Sequence, residues 1–461
     1  MRRPRAAACG IAALLASLGA SPADPACPPE APGYRFLRFD ESYTYLKRPE
    51  CAADEFDAIK FRSLGDGDAR ISFGADFRVR METGQDLRYY AAPPDTRNDV
   101  LQRYHGHVDL RIDDSLRFFG ELKVAETAGR PVPIPTDVDG LDVHQAFVEW
   151  KSAGTQVRLG RQEFVFGSGR RLFPRNGPNV RGSYDAARVT QQVGAWTLDL
   201  LAFKPVSIDP GSFDDVSVDG QRFWVVHGTG PAPLFGLRTD LYYIGLERDG
   251  ARYVQGVADE RRHSIGARLF GRRGAWDHDH EVTLQTGTFG NGDVRAWAAE
   301  GEVGYTLLDM ATRPRVSVRY NAGSGDRDPA DPNLETFYAM FPRGGITTEV
   351  FGFSPANLLH LRLAIEQRVT PRLGIVVSAD GVWRTSVRDG LYGAGGNVMI
   401  VGPASRSRYV GWDVDTTVNW RLSRQVVLGF SAAYFRNGTY SREAGLSERQ
   451  WFFAPVISIQ L

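Results

Sequence analysis

The sequence contains no apolar run long enough to span a bilayer as a helix in the mature chain. No stretch after residue 23 approaches the ~18 uninterrupted apolar residues of a transmembrane helix. The longest apolar run, Ala6 to Ala20, follows the basic head Met1–Arg5. A basic head before a short apolar segment is typical of a secretory signal peptide. We therefore assign residues 1–23 to a signal peptide, with cleavage between Ala20 and Ala26, and expect an exported protein.

Net charge is also lacking, since 55 basic residues face 55 acidic ones. Without a basic excess to neutralise phosphates, nucleic acid is not an expected partner. Lysine is scarce: only five of the basic residues are lysine and the rest are arginine. Arginine enrichment reflects either genome composition or a function that needs guanidinium groups, and composition alone does not separate the two.

Cysteine occurs three times, and Cys9 leaves with the signal peptide. Cys27 and Cys51 both lie in residues 24–69, which we predict to be an N-terminal periplasmic extension. In an oxidising compartment these two thiols could close a disulfide, although the sequence does not fix the pairing. Two thiols without clustered histidines argue against a metal site in this segment, and we expect no cofactor.

What the sequence does contain is alternation of apolar and charged residues, from about residue 70 to Leu461. In the first run, Ile71, Phe73, Ala75, Phe77, Val79 and Met81 share one face, and Asp76, Arg78, Arg80 and Glu82 share the other. Such period-two patterns predict strands with one apolar and one wet surface. The pattern recurs at 359–368 and 410–420, and the last strand of the sequence is amphipathic and ends at Leu461.

These segments are too long and too charged on one face for a soluble sandwich, whose strands have a mode near ~5–6 residues. About seventeen segments approach the length of a tilted membrane strand, and bacterial barrels have even strand numbers. We therefore predict an all-β fold: a transmembrane antiparallel β-barrel of about 18 strands over residues 70–461. Longer polar stretches at 129–140, 167–183, 206–236, 325–357 and 386–406 are predicted loops.

Short motifs spread over nearly the whole mature chain resemble, in order and spacing, the alginate export family. The central motifs are Arg158–Glu163, Phe166–Leu172 and Gly177–Arg181. The others are Tyr34–Arg38, Leu141–Val148, Arg261–Arg268, Gly325–Pro329, Phe341–Gly344, Pro355–Leu358 and Arg388–Gly393. The resemblance implies an eighteen-stranded barrel that exports the anionic polysaccharide alginate through an arginine-rich constriction.

Arginines are the candidate pore-lining residues, because their planar fork pairs with carboxylates and stays charged. Strand parity selects Arg78, Arg80, Arg103, Arg111, Arg158, Arg319, Arg362 and Arg384. The family motif adds Arg161, Arg170, Arg171 and Arg181, although parity puts Arg161 on the face of Leu159. The alternative is that these arginines pair with carboxylates on neighbouring strands and hold the barrel in register, with partners such as Asp76, Glu82, Asp109, Glu121, Glu300 and Glu302.

A few residues are also candidates for a metal site or for catalysis. His105 and His107 share the predicted lumen face and either bind a metal or are simply solvated there. The stretch 325–331 spaces its carboxylates loosely like a calcium loop but lacks an EF-hand's glycine and closing glutamate, which favours a plain outer loop. Ser168 does not meet the Gly-x-Ser-x-Gly pattern, and no serine–histidine pair stands out, so no enzyme is predicted.

The expected function is an outer-membrane channel of a Gram-negative bacterium that exports an anionic polysaccharide or oligosaccharide. Its expected partners are outer-membrane lipid, that polymer and a periplasmic secretion scaffold, with a monomeric barrel. Two alternatives stay open: a diffusion porin for small anionic solutes, and an outer-membrane enzyme or adhesive barrel. The polymer and the direction of transport do not follow from the sequence.

Overall fold

The computed structural model describes residues 27–28, 32–85, 96–130, 134–233, 236–348 and 352–461. The predicted signal peptide, residues 1–23, lies outside this part of the chain. The described residues form eighteen antiparallel barrel strands, which confirms the predicted fold class. They are β1 (Arg70–Gln85), β2 (Thr96–Arg111), β3 (Leu116–Ala128), β4 (Asp139–Ser152), β5 (Thr155–Gln162), β6 (Tyr184–Val193), β7 (Trp196–Pro205), β8 (Gln221–Pro231), β9 (Arg238–Tyr253), β10 (Gly256–Arg273), β11 (Trp276–Phe289), β12 (Gly292–Thr306), β13 (Arg315–Gly323), β14 (Leu358–Thr370), β15 (Leu373–Arg384), β16 (Tyr409–Arg421), β17 (Val426–Asn437) and β18 (Arg449–Gln460).

The barrel closes because β1 pairs with both β2 and β18. Arg78 lies opposite Arg103 on one side and opposite Ser458 on the other. The backbones of Ala75 and Leu461 exchange two hydrogen bonds, of 2.9 and 2.8 Å. Closure leaves the barrel without an unpaired edge strand among the described residues, as is required of strands that cross a medium without water.

Alternation along the strands gives the barrel an apolar outside and a polar inside. On β14, Leu361 and Leu363 are 45 % and 55 % exposed, whereas His360 and Arg362 between and beside them are buried. The outer face is therefore the lipid-facing band, and the charged side chains point into the lumen.

The two ends of the barrel differ in the length of their connections. One end carries tight turns such as 153–154, 194–195 and 371–372, together with Leu461 and the N-terminal segment. The other end carries the long connections. Barrels of this kind place short turns in the periplasm and long loops outside the cell. The end with Leu461 and the N-terminal segment is therefore the periplasmic end.

One predicted loop is wrong, because the stretch 206–236 contains the whole of β8. Phe223 and Val225 face inward and are buried, while Trp224 and Val226 point the other way. With apolar residues on both faces the strand has no apolar–polar alternation, so its pattern could not be detected.

The N-terminal segment 32–69 lies at the periplasmic mouth and is built of single 3-10 turns: Arg38–Asp40, Thr44–Lys47, Pro49–Cys51 and Glu55–Ile59. A two-residue strand, Arg62–Ser63, joins it to β1. A disulfide links Cys27 to Cys51. Phe39 enters the lumen and packs against Phe119 and Phe147. The short helix Thr439–Glu443 lies in the β17–β18 loop, and no helix of the described residues is long and apolar enough to cross a membrane.

Two extracellular connections fold into the barrel instead of over it. We call residues 163–183 the first inner loop and residues 324–348 the second inner loop. Their apolar residues pack on the inner faces of β6 to β9 in one core of Phe164, Phe166, Leu172, Tyr184, Leu201, Phe203, Phe223, Val225, Tyr242, Ile244, Leu246, Tyr338 and Met340. The core therefore lies inside the lumen and fills the side bounded by those strands.

Candidate functional site

The two inner loops are joined backbone to backbone in the middle of the lumen. The amide of Phe341 donates to the carbonyl of Arg171 at 3.0 Å, and the amide of Arg343 donates to that of Gly169 at 2.9 Å. Each loop contains the tripeptide Phe-Pro-Arg, at Phe173–Arg175 and at Phe341–Arg343. The repeated tripeptide places Arg175 and Arg343 in the lumen, in addition to Arg170, Arg171 and Arg181 of the first inner loop.

The first inner loop spans the lumen from one wall to the other. Near its start, Arg171 pairs with Glu300 of β12 and bonds Thr283 of β11 at 3.2 Å. Further along, the carbonyls of Asn176 and Pro178 accept hydrogen bonds from Arg78 of β1, at 2.6 and 2.8 Å. Since β11 is the eleventh strand in a ring of eighteen, the loop is attached to opposite sides of the barrel.

The loops and their core leave two neighbouring cavities open, the first along β16, β17, β18 and β1, and we call the two together the passage. Its periplasmic part, which we call the lower cavity, has a volume of about 460 Å³. Arg78, Arg80 and Arg343 line it, and among the described residues no carboxylate does. The facing wall offers hydroxyl and amide groups, from Thr417, Asn419, Ser431 and Ser458.

An upper cavity, also of about 460 Å³, lies among the extracellular loops. Its charged lining comprises Arg80, Arg130 and Arg175 with Glu82 and Asp137. The two cavities share Arg80, Gly177, Gly344 and Gly345, and we call this meeting point the junction. An ideal Cβ on Gly177 or Gly344 would meet nothing within 4 Å, so both glycines border open space.

Part of the positive charge along this passage has no ion-pair partner among the described residues, although Arg130 pairs with Glu82, Asp99 and Asp137. Arg78, Arg175 and Arg343 form no ion pair with any carboxylate among the described residues, whereas Arg80 lies 3.0 Å from Glu82. Burial lowers the pKa of both loop arginines from its ordinary value, and Arg319 and Arg170 lower that of Arg343 further. A guanidinium stays protonated despite such shifts. The passage therefore presents fixed cations to whatever enters it.

Of the twelve arginines selected from the sequence, Arg78 and Arg80 border the passage. Arg103 lies beside them, bonded to the Asn176 side chain at 2.9 Å and 3.8 Å from Asp76. These three occupy the lumen face of β1 and β2, as strand parity predicts.

Six others face the lumen in ion pairs that connect strands or fasten the first inner loop. The pairs are Arg158–Glu149 (2.5 Å), Arg170–Asp279 (2.8 Å), Arg171–Glu300, Arg181–Glu163 (2.6 Å), Arg319–Glu302 (2.6 Å) and Arg362–Asp415 (3.5 Å). For these six arginines the structure agrees with the alternative hypothesis, in which they pair with neighbouring carboxylates. A paired guanidinium is less available to a passing anion.

Arg161 lies on the outer face and requires correction as a pore-lining residue. It pairs with Asp185 at 2.9 Å, on the side of the barrel that carries the exposed Leu159. Although Gly160 has a φ of +123°, the register of β5 with β4 and β6 stays continuous through it. No bulge therefore turns Arg161 inward.

Arg111 and Arg384 also lie away from the passage, which corrects two further predictions. Arg111 is at the periplasmic end of β2, bonded to Asp109 at 3.1 Å and to the carbonyl of Glu41. Arg384 is buried under an extracellular loop, where its guanidinium donates to five carbonyls and lies 3.6 Å from the Tyr440 ring centroid. Arg384 thus holds a loop together.

Sequence reasoning missed Arg175 and Arg343 as site residues. Both lie in irregular backbone, where parity along a strand gives no information about direction. The repeated Phe-Pro-Arg tripeptide was the available signal. Ser168, the residue considered for an enzyme reading, donates to Glu281 at 2.6 Å.

A closed eighteen-stranded barrel with an apolar outer face and an arginine-lined passage is an outer-membrane channel. The sequence profile of the Alginate export family matches residues 69–454, so the chain belongs to that family and the resemblance seen in the motifs is confirmed. No curated protein matches the chain in sequence.

Solved structures with the same fold include outer-membrane porins of Pseudomonas. OccK2 (OpdF) of Pseudomonas aeruginosa is 12 % identical, with a TM-score of 0.57, covering 84 % of this chain and 97 % of that one. A BenF-like porin from Pseudomonas fluorescens Pf-5 is also 12 % identical, with a TM-score of 0.58 and coverages of 85 % and 98 %. OpdK, solved with vanillate, is 11 % identical, with a TM-score of 0.55 and coverages of 84 % and 98 %. At these identities the likeness concerns the fold.

Proposed function

We propose that this barrel passes an acidic, uronate-containing polysaccharide outward through the junction. The observation that carries the proposal is the lining of the lower cavity, where Arg78, Arg80 and Arg343 occur without a carboxylate among the described residues. A polyanion arriving from the periplasm meets these three cations before it reaches the junction.

The chemistry of the lining suits a chain of carboxylated sugars. A guanidinium pairs with a carboxylate through two parallel hydrogen bonds. The hydroxyl and amide groups of Thr417, Asn419, Ser431 and Ser458 face the arginines and can bond sugar hydroxyls. Conduction requires binding weak enough for each unit to leave, and several modest sites in series meet that requirement better than one strong site.

Membership of the Alginate export family supports the outward direction. The passage itself favours neither direction, because fixed charges attract an anion from both sides. The proposal that the channel performs no catalysis rests on the same membership and on the channel fold.

A second candidate is a diffusion pore for small carboxylates. It is supported by two proteins of the same fold, OccK2 (OpdF), solved in complex with glucuronate, and OpdK, solved with vanillate. Both ligands are monocarboxylates, and the arginine lining described here would suit such solutes too. The two candidates differ in whether a long chain can pass.

The test uses the full mature barrel reconstituted in liposomes loaded with fluorescent oligouronates of increasing length. Export of a polymer predicts efflux of long oligomers as well as short ones, and little efflux of neutral dextrans of matched length. A small-solute pore predicts that efflux stops after one or a few sugar units. Equal efflux of charged and neutral oligomers would contradict the proposed selectivity.

A further inference from the structure

A β-bulge on β4 turns a histidine into the lumen that the alternation of the strand would place in lipid. Glu121 of β3 lies opposite Gln145, but the next residue, Leu122, lies opposite Val143. His144 is therefore the extra residue of the bulged strand. Its side chain is fully buried, and its ring centroid is 4.7 Å from that of His105 on β2. Bulges re-aim side chains and are enriched next to functional sites.

The hydrogen bonds of His144 are those of a histidine prepared to bind a metal. One ring nitrogen, Nε2, lies 2.9 Å from the carboxylate of Glu163. The other, Nδ1, is buried and without a hydrogen-bond partner. A carboxylate that accepts from one imidazole nitrogen fixes the tautomer and leaves a lone pair on the other, which is the usual arrangement around metal-binding histidines.

Two further donors converge on the same point. His105 Nδ1 lies 2.9 Å from Glu121 Oε1, and both side chains are buried. His105, Glu121 and His144 each offer one potential ligand atom, and these three atoms lie within 4.8 Å of one another. Tetrahedral ligands at ~2.0–2.2 Å from zinc are separated by about 3.4 Å, so the three side chains need to close by only about an ångström.

We propose that His105, Glu121 and His144 bind a divalent transition-metal ion, zinc in the first instance, with Glu163 orienting His144. Two imidazoles and one carboxylate suit zinc, whereas the all-oxygen sites of calcium and magnesium lack nitrogen ligands. A fourth position stays free for water. The proposal is independent of what passes through the channel.

The surrounding charges set a limit on affinity. Glu163 also accepts from Arg181 at 2.6 Å, and Arg103 lies on the same lumen face of β2 as His105. Two carboxylates and two guanidiniums thus surround the site, so an added dication meets a nearly balanced field. We expect micromolar rather than nanomolar binding.

The site would couple the barrel wall to the passage. His105, Glu121 and His144 belong to β2, β3 and β4, and Glu163 opens the first inner loop. Glu163 also accepts a hydrogen bond from Arg181, whose guanidinium lies 4.2 Å from the Phe36 ring centroid in the N-terminal segment. The ion would therefore be linked to that segment as well. An ion held here would therefore fasten three strands and steady the first inner loop.

The test uses the full mature barrel, refolded in detergent and stripped with EDTA, and measures Zn²⁺ binding by calorimetry and Co²⁺ binding by visible absorption. The wild type should bind one equivalent and give ligand-field bands typical of nitrogen and oxygen ligands. His105→Gln and His144→Gln should each weaken binding at least tenfold, and Glu163→Gln should weaken it about tenfold, the size usual for an outer-shell partner. The matched control is His280→Gln, whose ring bonds Tyr320 at 3.0 Å on the outer face.

Absence of binding by the wild type, or unchanged affinity in both histidine variants, would overturn the proposal. Folding of each variant is checked by the shift in gel mobility between heated and unheated samples. If a variant does not fold, the wild-type cobalt spectrum still decides, since a spectrum of free hexa-aquo Co²⁺ would contradict the site.

Discussion

Arg78 of β1 donates to the backbone carbonyl of Asn176 at 2.6 Å, which fastens the first inner loop to the wall of the passage. The same guanidinium lines the lower cavity. One side chain therefore contributes charge and also holds the segment that narrows the lumen. Replacing Arg78 would change both, so it is a poor single probe of selectivity.

A substitution of Arg343 removes a charge without removing a contact that holds the inner loops. Its backbone amide bonds the carbonyl of Gly169, whereas its guanidinium forms no ion pair among the described residues. Arg343→Gln should lower the anion-to-cation permeability ratio several-fold, since one of three lower-cavity cations is lost. The reversal potential in a salt gradient measures it. Arg161→Gln is the control, since it makes the same change on the outer face, and a matching drop there would point to a general effect of net charge.

Single-channel conductance should fall when side-chain volume is added at the junction. A side chain added at Gly344 projects into open space. We expect Gly344→Trp to reduce single-channel conductance by more than half without loss of folding. Gly106→Trp adds the same bulk on the lipid-facing side, where an added Cβ also meets nothing within 4 Å, and should leave conductance unchanged. Normal conductance in Gly344→Trp would remove Gly344 from the ion path.

A charge placed on the outer face should destabilise the barrel more in the middle of the bilayer than near its surface. Leu363, 55 % exposed in the middle of β14, faces the bilayer core, and Leu363→Arg should lower the free energy of unfolding in lipid by about 2–4 kcal/mol. Leu308, 50 % exposed in the periplasmic β12–β13 turn, is the control, where the same substitution should cost at most about 1 kcal/mol. Denaturant titration in liposomes gives both values, and equal costs would contradict the assigned orientation of these faces.

The second inner loop should become more stable as pH falls from 7 to 5. Burial and the charge of Asp389 together raise the pKa of Asp326 to about 6, against the lowering effect of the hydrogen bond from the Asp328 amide. A carboxyl whose pKa is raised by folding destabilises the folded state when it is ionised. This free-energy cost is complete above pH 6 and disappears as the pH falls towards the ordinary pKa of aspartate. The protection factors of amides 324–348, which are corrected for the slower intrinsic exchange at low pH, should therefore rise between pH 7 and pH 5. Asp326→Asn should show high protection factors at both pH values, and an unchanged pH response in that variant would assign the effect elsewhere.

Alternation was sufficient to predict the barrel, because lipid outside and water inside impose opposite demands on successive residues. It placed Arg78, Arg80 and Arg103 correctly on the lumen face of β1 and β2. It did not detect β8, where the lumen face packs on the inner loops and is as apolar as the outer face.

The rest of the site depends on features that parity cannot encode. The inner loops owe their position to contacts across the lumen, such as Arg171 with Glu300, between residues far apart in the chain. The sequence paired His105 with His107 as the metal alternative, whereas the structure brings His105 to His144 through a bulge that the sequence does not reveal. Arg384 satisfied parity and yet serves a loop, because the end of a strand need not face the lumen.

The proposed function requires that the passage selects anionic sugar chains through its arginines that have no ion pair among the described residues. It is tested most directly by single-channel recording of the refolded mature barrel in a planar bilayer under a potassium chloride gradient, with oligouronates and then neutral oligosaccharides added on the periplasmic side. We expect an anion-selective reversal potential and a current that is interrupted by oligouronates alone. A cation-selective pore, or current blocked equally by neutral sugars, would contradict it.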